Sequence, residues 1–153
     1  MTNSYANPAQ QYAQQYKAQN IQTASKEEIL IMLFDGAIRF SVIAKKAMNN
    51  GDIEKCHTHL IKTQNILTEL MISLDMEIGG EMAKNLYKLY DYLHYQLVQA
   101  NVKKDPALID EVLHHLRDLK KTWEEAIKIA KNERKPNSDS EPGTEDVSTD
   151  RQG

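Results

Sequence analysis

The arrangement closest to a catalytic centre is a pair of Glu-x-x-His tetrads, Glu54-Lys-Cys-His57 and Glu111-Val-Leu-His114. Residues three apart share a helix face. A di-iron bundle places one such pair on each of two helices and a Glu on each of the other two. If both tetrads open parallel helices of one bundle, they meet at one end, where the first and third helices must supply the missing carboxylates. What those helices offer there is Lys45, Lys46, Asn49 and Asn50, then Gln96, Gln99 and Asn101. None is a carboxylate, and Glu54, Glu111 and His114 project away from their own apolar stripes. A ferritin-like di-iron enzyme therefore stands only as the alternative, and the tetrads read as solvated helix faces. Cys56, His57 and His59 fare no better, because His57 leaves the face that Cys56 and His59 share and no fourth ligand has zinc spacing. Cys56 reads as a small buried hydrophobe. No glycine-rich phosphate loop, G-x-S-x-G elbow or H-E-x-x-H is present. The expectation is no catalytic residue, no metal and no cofactor.

A second chemical candidate is the aromatic run Tyr87-Lys-Leu-Tyr90-Asp-Tyr92-Leu-His-Tyr95. Base stacking would need a cationic groove around the rings. The chain has 19 Lys and Arg against 22 Asp and Glu, with no uniform basic field, so nucleic acid is not an expected partner. Rings at a rim serve packing or protein contact.

The elements that would position these residues are helical throughout. Ser25 with Glu28 forms a capping box, and a helix follows to about Asn50, with Leu30, Leu33, Ala37, Ala44 and Met48 along one side. Ile29, Met32 and Ile43 flank that stripe on one edge, and Ile31, Ile38 and Val42 on the other. A helix apolar nearly all round is central in a large protein or has a second partner, and this chain is short. Gly51-Asp52 suits a stop and restart. The second helix is expected over about 53–76. Gly79-Gly80 breaks the chain, and a third helix over about 81–102 carries Met82, Leu86, Leu89, Leu93, Leu97 and Ala100. Asp105-Pro106 starts the fourth, with Trp123 anchoring a core that also includes Ala126. The reading is an all-α, antiparallel up-down-up-down four-helix bundle over 23–132.

Residues 1–22 are expected to be a flexible arm in which Tyr5, Tyr12, Tyr16 and Ile21 are adhesive. From Glu133 onward six acids face three bases, and this stretch is expected to be a disordered acidic tail. The N-terminus has neither the basic start nor the apolar core of a secretory signal. The longest apolar run, Ile29 to Phe34, is far below the ~18 residues of a membrane span, so no membrane insertion is expected. One cysteine closes no internal disulfide, which fits a reducing compartment such as the cytoplasm.

Several stretches in order carry a resemblance: Tyr16-Lys-Ala-Gln-Asn-Ile-Gln-Thr-Ala-Ser25, Met32-Leu-Phe-Asp-Gly-Ala-Ile38, Leu74-Asp-Met-Glu-Ile-Gly-Gly80 and Asn85-Leu-Tyr-Lys-Leu-Tyr-Asp-Tyr92. With Ala100-Asn101 and the approach to Trp123, they resemble the flagellin-specific export chaperones of bacteria, the FliS type, over about Tyr16 to Ala130. Phe34 stands where that family usually has tyrosine. The resemblance implies a non-enzymatic, cytoplasmic four-helix bundle that binds the disordered C-terminal segment of flagellin. It implies that binding prevents premature polymerisation and delivers flagellin to the flagellar type III export apparatus. It also implies that the arm, through Tyr16 and Ile21, covers part of the apolar surface. The expected client contacts are Ile29, Met32, Val42 and Ile43 on the first helix with Tyr87, Tyr92 and Tyr95 on the third. The alternative outside the enzyme class is a generic helical adaptor, and the apolar surplus allows weak self-association.

Overall fold

Four long helices follow one another through tight turns: α1 (Lys26–Asn49), α2 (Ile53–Ile72), α3 (Met76–Lys103) and α4 (Pro106–Arg134). The computed structural model describes residues 24–134, so the arm and nearly all of the acidic tail lie outside the described residues. No strand occurs among the described residues. Each helix start has a chemical reason. Ser25 Oγ accepts from the Glu28 amide at 3.1 Å while Glu28 Oε1 accepts from the Ser25 amide at 2.9 Å, which satisfies two otherwise orphan donors. Asp52 Oδ1 accepts from the Lys55 amide. Asp105 Oδ1 accepts from the Ala107 amide beside Pro106, whose missing N–H costs nothing in the first turn.

The helices alternate in direction, and α1 packs on both α2 and α4 while α3 closes the bundle between those two. Lys45 pairs with Asp110 and Asp35 with Lys120, so climbing α1 means descending α4. These pairs are partly exposed, and such pairs contribute about 0–1 kcal/mol. They fix register more than they stabilise.

The core is a stack of fully buried side chains from all four helices, among them Phe34, Leu60, Leu67, Leu70, Tyr90, Leu93, Leu97, Ile109 and Leu116. Burying each large apolar side chain contributes about 1.5–3 kcal/mol. Small residues let α1 and α2 approach closely. Ser41 Oγ reaches Thr63 Oγ1 at 3.4 Å in the interior, and a Cβ on Gly36 would sit 3.2 Å from Ile66.

Four expectations need correction. The inward stripe of α1 is Phe34, Ala37, Ser41, Ala44 and Ala47, and Leu30, Leu33 and Met48 are only half-buried beside it. The α2–α3 break precedes Gly79-Gly80. Asp75 caps α3 by accepting from the Glu77 and Ile78 amides, so one helical turn forms before the glycines. Gly80 then kinks the helix at φ 55°, ψ −130°, a backbone region open essentially to glycine. Met82, expected inside, is 70% exposed, and its neighbour Ala83 is the buried residue of that turn. On α4, Ala126 is exposed and Trp123 is half-buried against the core rather than its centre.

Candidate functional site: an open apolar end of the bundle

The two ends of the bundle differ. At one end, α1 turns into α2 through Gly51, and α3 turns into α4 through Lys104, held left-handed at φ 52° with its amide bonded to the Ala100 carbonyl. The other end gathers the start of α1, the α2–α3 turn and the last turns of α4. There Ile72 is 71% exposed and Ile78 87%. Together with Met76 and Met82 they make a cluster of exposed aliphatic side chains around one turn, which single surface hydrophobics do not explain.

Three recesses surround the first turns of α1. One, of about 470 Å³, runs between α1 and α4, with Ile31, Met32 and Ile127 as its floor and Glu27, Glu124 and Lys131 at its rim. A second, about 230 Å³, lies between the α2–α3 corner and the bundle, lined by Leu30, Leu74, Ile78, Met82, Leu86 and Trp123. A third, about 400 Å³, joins Ile29, Leu30 and Leu33 to Ser73. Leu30 and Ser73 line both of these last two. The result is an apolar track around one end, shaped for helical anchors rather than for a small polar substrate.

Ile29 and Met32 stand on this track. Val42 is exposed farther along α1, and Ile43 lines a separate recess of about 290 Å³ with Lys46 and Lys55 near the opposite end. Tyr87, Tyr92 and Tyr95 are exposed on α3. They do not line the three recesses. Tyr92 also has a structural tie: its hydroxyl donates to Glu111 Oε2 at 2.6 Å, while Gln96 Nε2 donates to Glu111 Oε1 at 2.7 Å. Those bonds hold the Glu111 carboxyl below the ordinary carboxylate range, and the same bond raises the Tyr92 phenol. Tyr16 and Ile21 lie outside the described residues.

The sequence reading missed Ile72 and Ile78 as surface residues, and it missed Tyr90. The Tyr90 ring is buried 6.4 Å from that of Phe34, and its oxygen accepts from Trp123 Nε1 at 3.3 Å. Burial raises its phenol, and the Trp123 bond opposes that rise. Phase along the helix was the available signal, since Tyr90 lies three residues from Leu93 and seven from Leu97 on one face.

Three of the four side chains of the tetrads that suggested metal chemistry make polar ties. Both Glu111 oxygens are occupied, His114 meets Asp118 at 3.3 Å, and His57 Nδ1 meets Asn101 Nδ2 at 2.8 Å. Among the described residues no three His, Cys, Asp or Glu side chains gather to hold a metal. Cys56 is a free, buried thiol whose pKa burial raises. No helix among the described residues is long and apolar enough to cross a membrane.

Comparison with known proteins takes in most of the chain. The chain is 34% identical over 119 residues to a Bacillus subtilis protein named flagellar secretion chaperone FliS, covering 78% of this chain and 88% of that one. A Vibrio cholerae protein of the same name is 39% identical over 105 residues, covering 69% and 77%. A crystal structure described as a flagellar chaperone from bacteria superposes with TM-score 0.64 at 23% identity, over 79% of this chain and 98% of that one, and so shares the fold. The family model described as flagellar protein FliS matches residues 8–130, which takes in all of α1 to α3 and most of α4, and the chain belongs to that family.

Proposed function

We propose that this protein is a cytoplasmic, non-enzymatic chaperone that binds the C-terminal segment of flagellin. It keeps flagellin from polymerising and delivers it to the flagellar type III export apparatus. The observation that carries the reading is membership of a family whose relatives are named flagellar secretion chaperones. The apolar end supports it physically. A subunit that assembles through apolar helices has to be met by a comparably apolar surface, and ordering a disordered client costs about 2–5 kcal/mol. Several patches are needed to offset that cost, and the three recesses beside α1 supply them.

The client occupies the track from the α1–α4 groove at Met32, past Ile29, to the α2–α3 corner at Ile78 and Met82. Val42, Ile43 and the α3 tyrosines extend its contacts along the bundle. The arm shields the groove when it is empty. Ala24, the first described residue, itself lines the α1–α4 groove. Deleting residues 1–22 should raise dye binding or self-association; a truncated protein that stays monomeric and dye-free counts against the shield.

The deciding experiment mixes the protein with monomeric flagellin and follows filament growth by light scattering. Stoichiometric protein should suppress growth, and removing the flagellin C-terminal segment should abolish binding. Undisturbed growth overturns the reading. For the site, the double substitution Met32→Asp and Ile43→Asp should weaken client binding with helical circular dichroism intact, and unchanged affinity rejects it.

A further inference from the structure

The seam between α1 and α2 is a second surface, different in chemistry from the apolar end. The Phe40 ring carries two cations: Arg39 Cζ and Lys62 Nζ each lie 5.2 Å from its centroid. The His59 ring stands 5.8 Å away. About two turns along, Lys46 and Lys55 line the recess that contains Ile43. None of Arg39, Lys46, Lys55 and Lys62 makes an ion pair among the described residues. The one carboxylate lining that recess, Asp52, spends Oδ1 on the Lys55 amide. Two like charges on a single ring repel each other, and a nearby anion offsets that repulsion.

The chain holds a matching anion. Between Asp139 and Asp150 there are five acids and no Lys or Arg. Arg134 ends α4 on the side where α1 begins, as the shared groove of Ala24 and Lys131 shows. From there an extended chain reaches about 17 Å at Asp139 and about 55 Å at Asp150. The cation farthest along α1, Lys46, is about 30 Å from the helix start. The length suffices.

We infer that the acidic segment 139–150 docks on the basic α1–α2 seam of its own chain, with Arg39, Lys46, Lys55 and Lys62 as its cationic contacts. This assignment is independent of the flagellin reading. It concerns one chain alone, and either can fail without the other.

The test uses the full-length protein with a nitroxide on Ser148→Cys, which labels selectively because Cys56 is fully buried. In low salt the amide signals of Arg39, Ile43, Lys46, Lys55 and Lys62 should lose intensity, and 0.5 M salt should restore them, because screening shortens to a few ångströms. Neutralising the tail with Asp139→Asn, Glu141→Gln, Glu145→Gln and Asp146→Asn should abolish the loss, and these changes leave every helix residue in place. Arg39→Glu with Lys62→Glu should do the same from the other side, with circular dichroism as the folding control. Broadening confined to the last turn of α4, or centred on α3, overturns the assignment. So does broadening that survives high salt. Broadening of unlabelled isotopic protein mixed with spin-labelled protein overturns it too, by placing the tail on a second copy.

Discussion

Gly80→Ala tests whether the kink in α3 is imposed by the rest of the bundle. A Cβ at Gly80 would meet nothing within 4 Å, so no steric clash contributes and the cost is that of the backbone alone. A non-glycine residue held in such a region costs about 1–3 kcal/mol. Against this, alanine lowers the entropy of the unfolded chain and recovers about 0.4–1 kcal/mol. The expected balance is a loss of about 1–2 kcal/mol, or ~4–8 °C in Tm at about 4 °C per kcal/mol for a domain of this size. Gly79 provides the contrast, because its Cβ would lie 2.6 Å from that of Ala83. In a straight helix residues four apart stand about 5–6 Å apart at Cβ, so that clash exists only because of the kink. If α3 were free to straighten, both strain and clash would vanish, and the double substitution Gly79→Ala, Gly80→Ala would stabilise through helix propensity by up to ~2 kcal/mol. Urea unfolding followed by circular dichroism distinguishes the two cases by sign. A double variant as stable as the parent, or more so, refutes a kink imposed by packing.

Stability and client binding should separate by site. Leu67→Ala, at a fully buried position, should cost about 2–5 kcal/mol in urea unfolding. Ile78→Asp, at an 87% exposed one, should change stability by less than ~0.5 kcal/mol. Yet Ile78→Asp should weaken binding of a flagellin C-terminal peptide in calorimetry about ten- to hundred-fold, the worth of one aliphatic side chain. Glu111→Gln tests the α3–α4 tie. The folded Glu111 pKa is depressed by Tyr92 and Gln96, so its stabilisation is present above the ordinary carboxylate range and is lost as pH falls through the folded value. The stability gap to the Gln variant, under about 1 kcal/mol at a surface site, should close as pH falls through the ordinary carboxylate range and below it. A gap that widens in acid contradicts the tie. Burial of Cys56 predicts that a disulfide reagent titrates no thiol in the native protein and one in urea.

Caps were legible from sequence because they are local chemistry. Ser25 with Glu28, Asp52, and Asp105 with Pro106 each announce a helix within four residues. The start of α3 was misplaced for the same reason: Gly79-Gly80 is a louder local signal than Asp75, and the structure uses both, one to cap and one to kink. Burial along α1 was harder. Leu33 and Phe34 differ by about 100° around the helix, and a helix apolar on nearly every side does not reveal which of them faces three neighbours. Met82 illustrates the same limit on α3, where the small Ala83 rather than the larger Met82 is the buried residue of its turn. The surplus apolar character of α1 was legible, through Ile29 and Met32. The corner at Ile72 and Ile78 was not, because those residues become a patch only when the α2–α3 turn brings them together. The functional reading came from ordered motif fragments, which carry family information that helix periodicity does not.

The placement of polar ties predicts which end of the bundle gives way first. Hydrogen bonds and ion pairs between helices run from Lys45–Asp110 and His57–Asn101 near the closed end, through Tyr92–Glu111 and Ser41–Thr63, to Asp35–Lys120 and Tyr90–Trp123. Beyond Tyr90–Trp123, toward the open end, no hydrogen bond or ion pair joins two helices among the described residues. That end is held by apolar packing alone, and its side chains at Ile72, Ile78 and Met82 are already mostly in water. Local opening there breaks no directional bond between helices and exposes little new surface, so its free energy should be well below that of global unfolding. All helix ends fray, and the informative comparison is therefore between the two ends. In native-state hydrogen exchange with urea, amides of Leu30–Leu33, Ala83–Leu86 and Ile127–Ala130 should exchange through a small opening that depends weakly on denaturant. Amides of Ala44–Ala47, Leu97–Ala100 and Ile109–Val112, which lie nearer their own helix ends, should exchange by global unfolding. Equal protection at the two ends would show that the apolar track is as rigid as the core, and a client would then have to fit a preformed surface instead of one that opens to receive it.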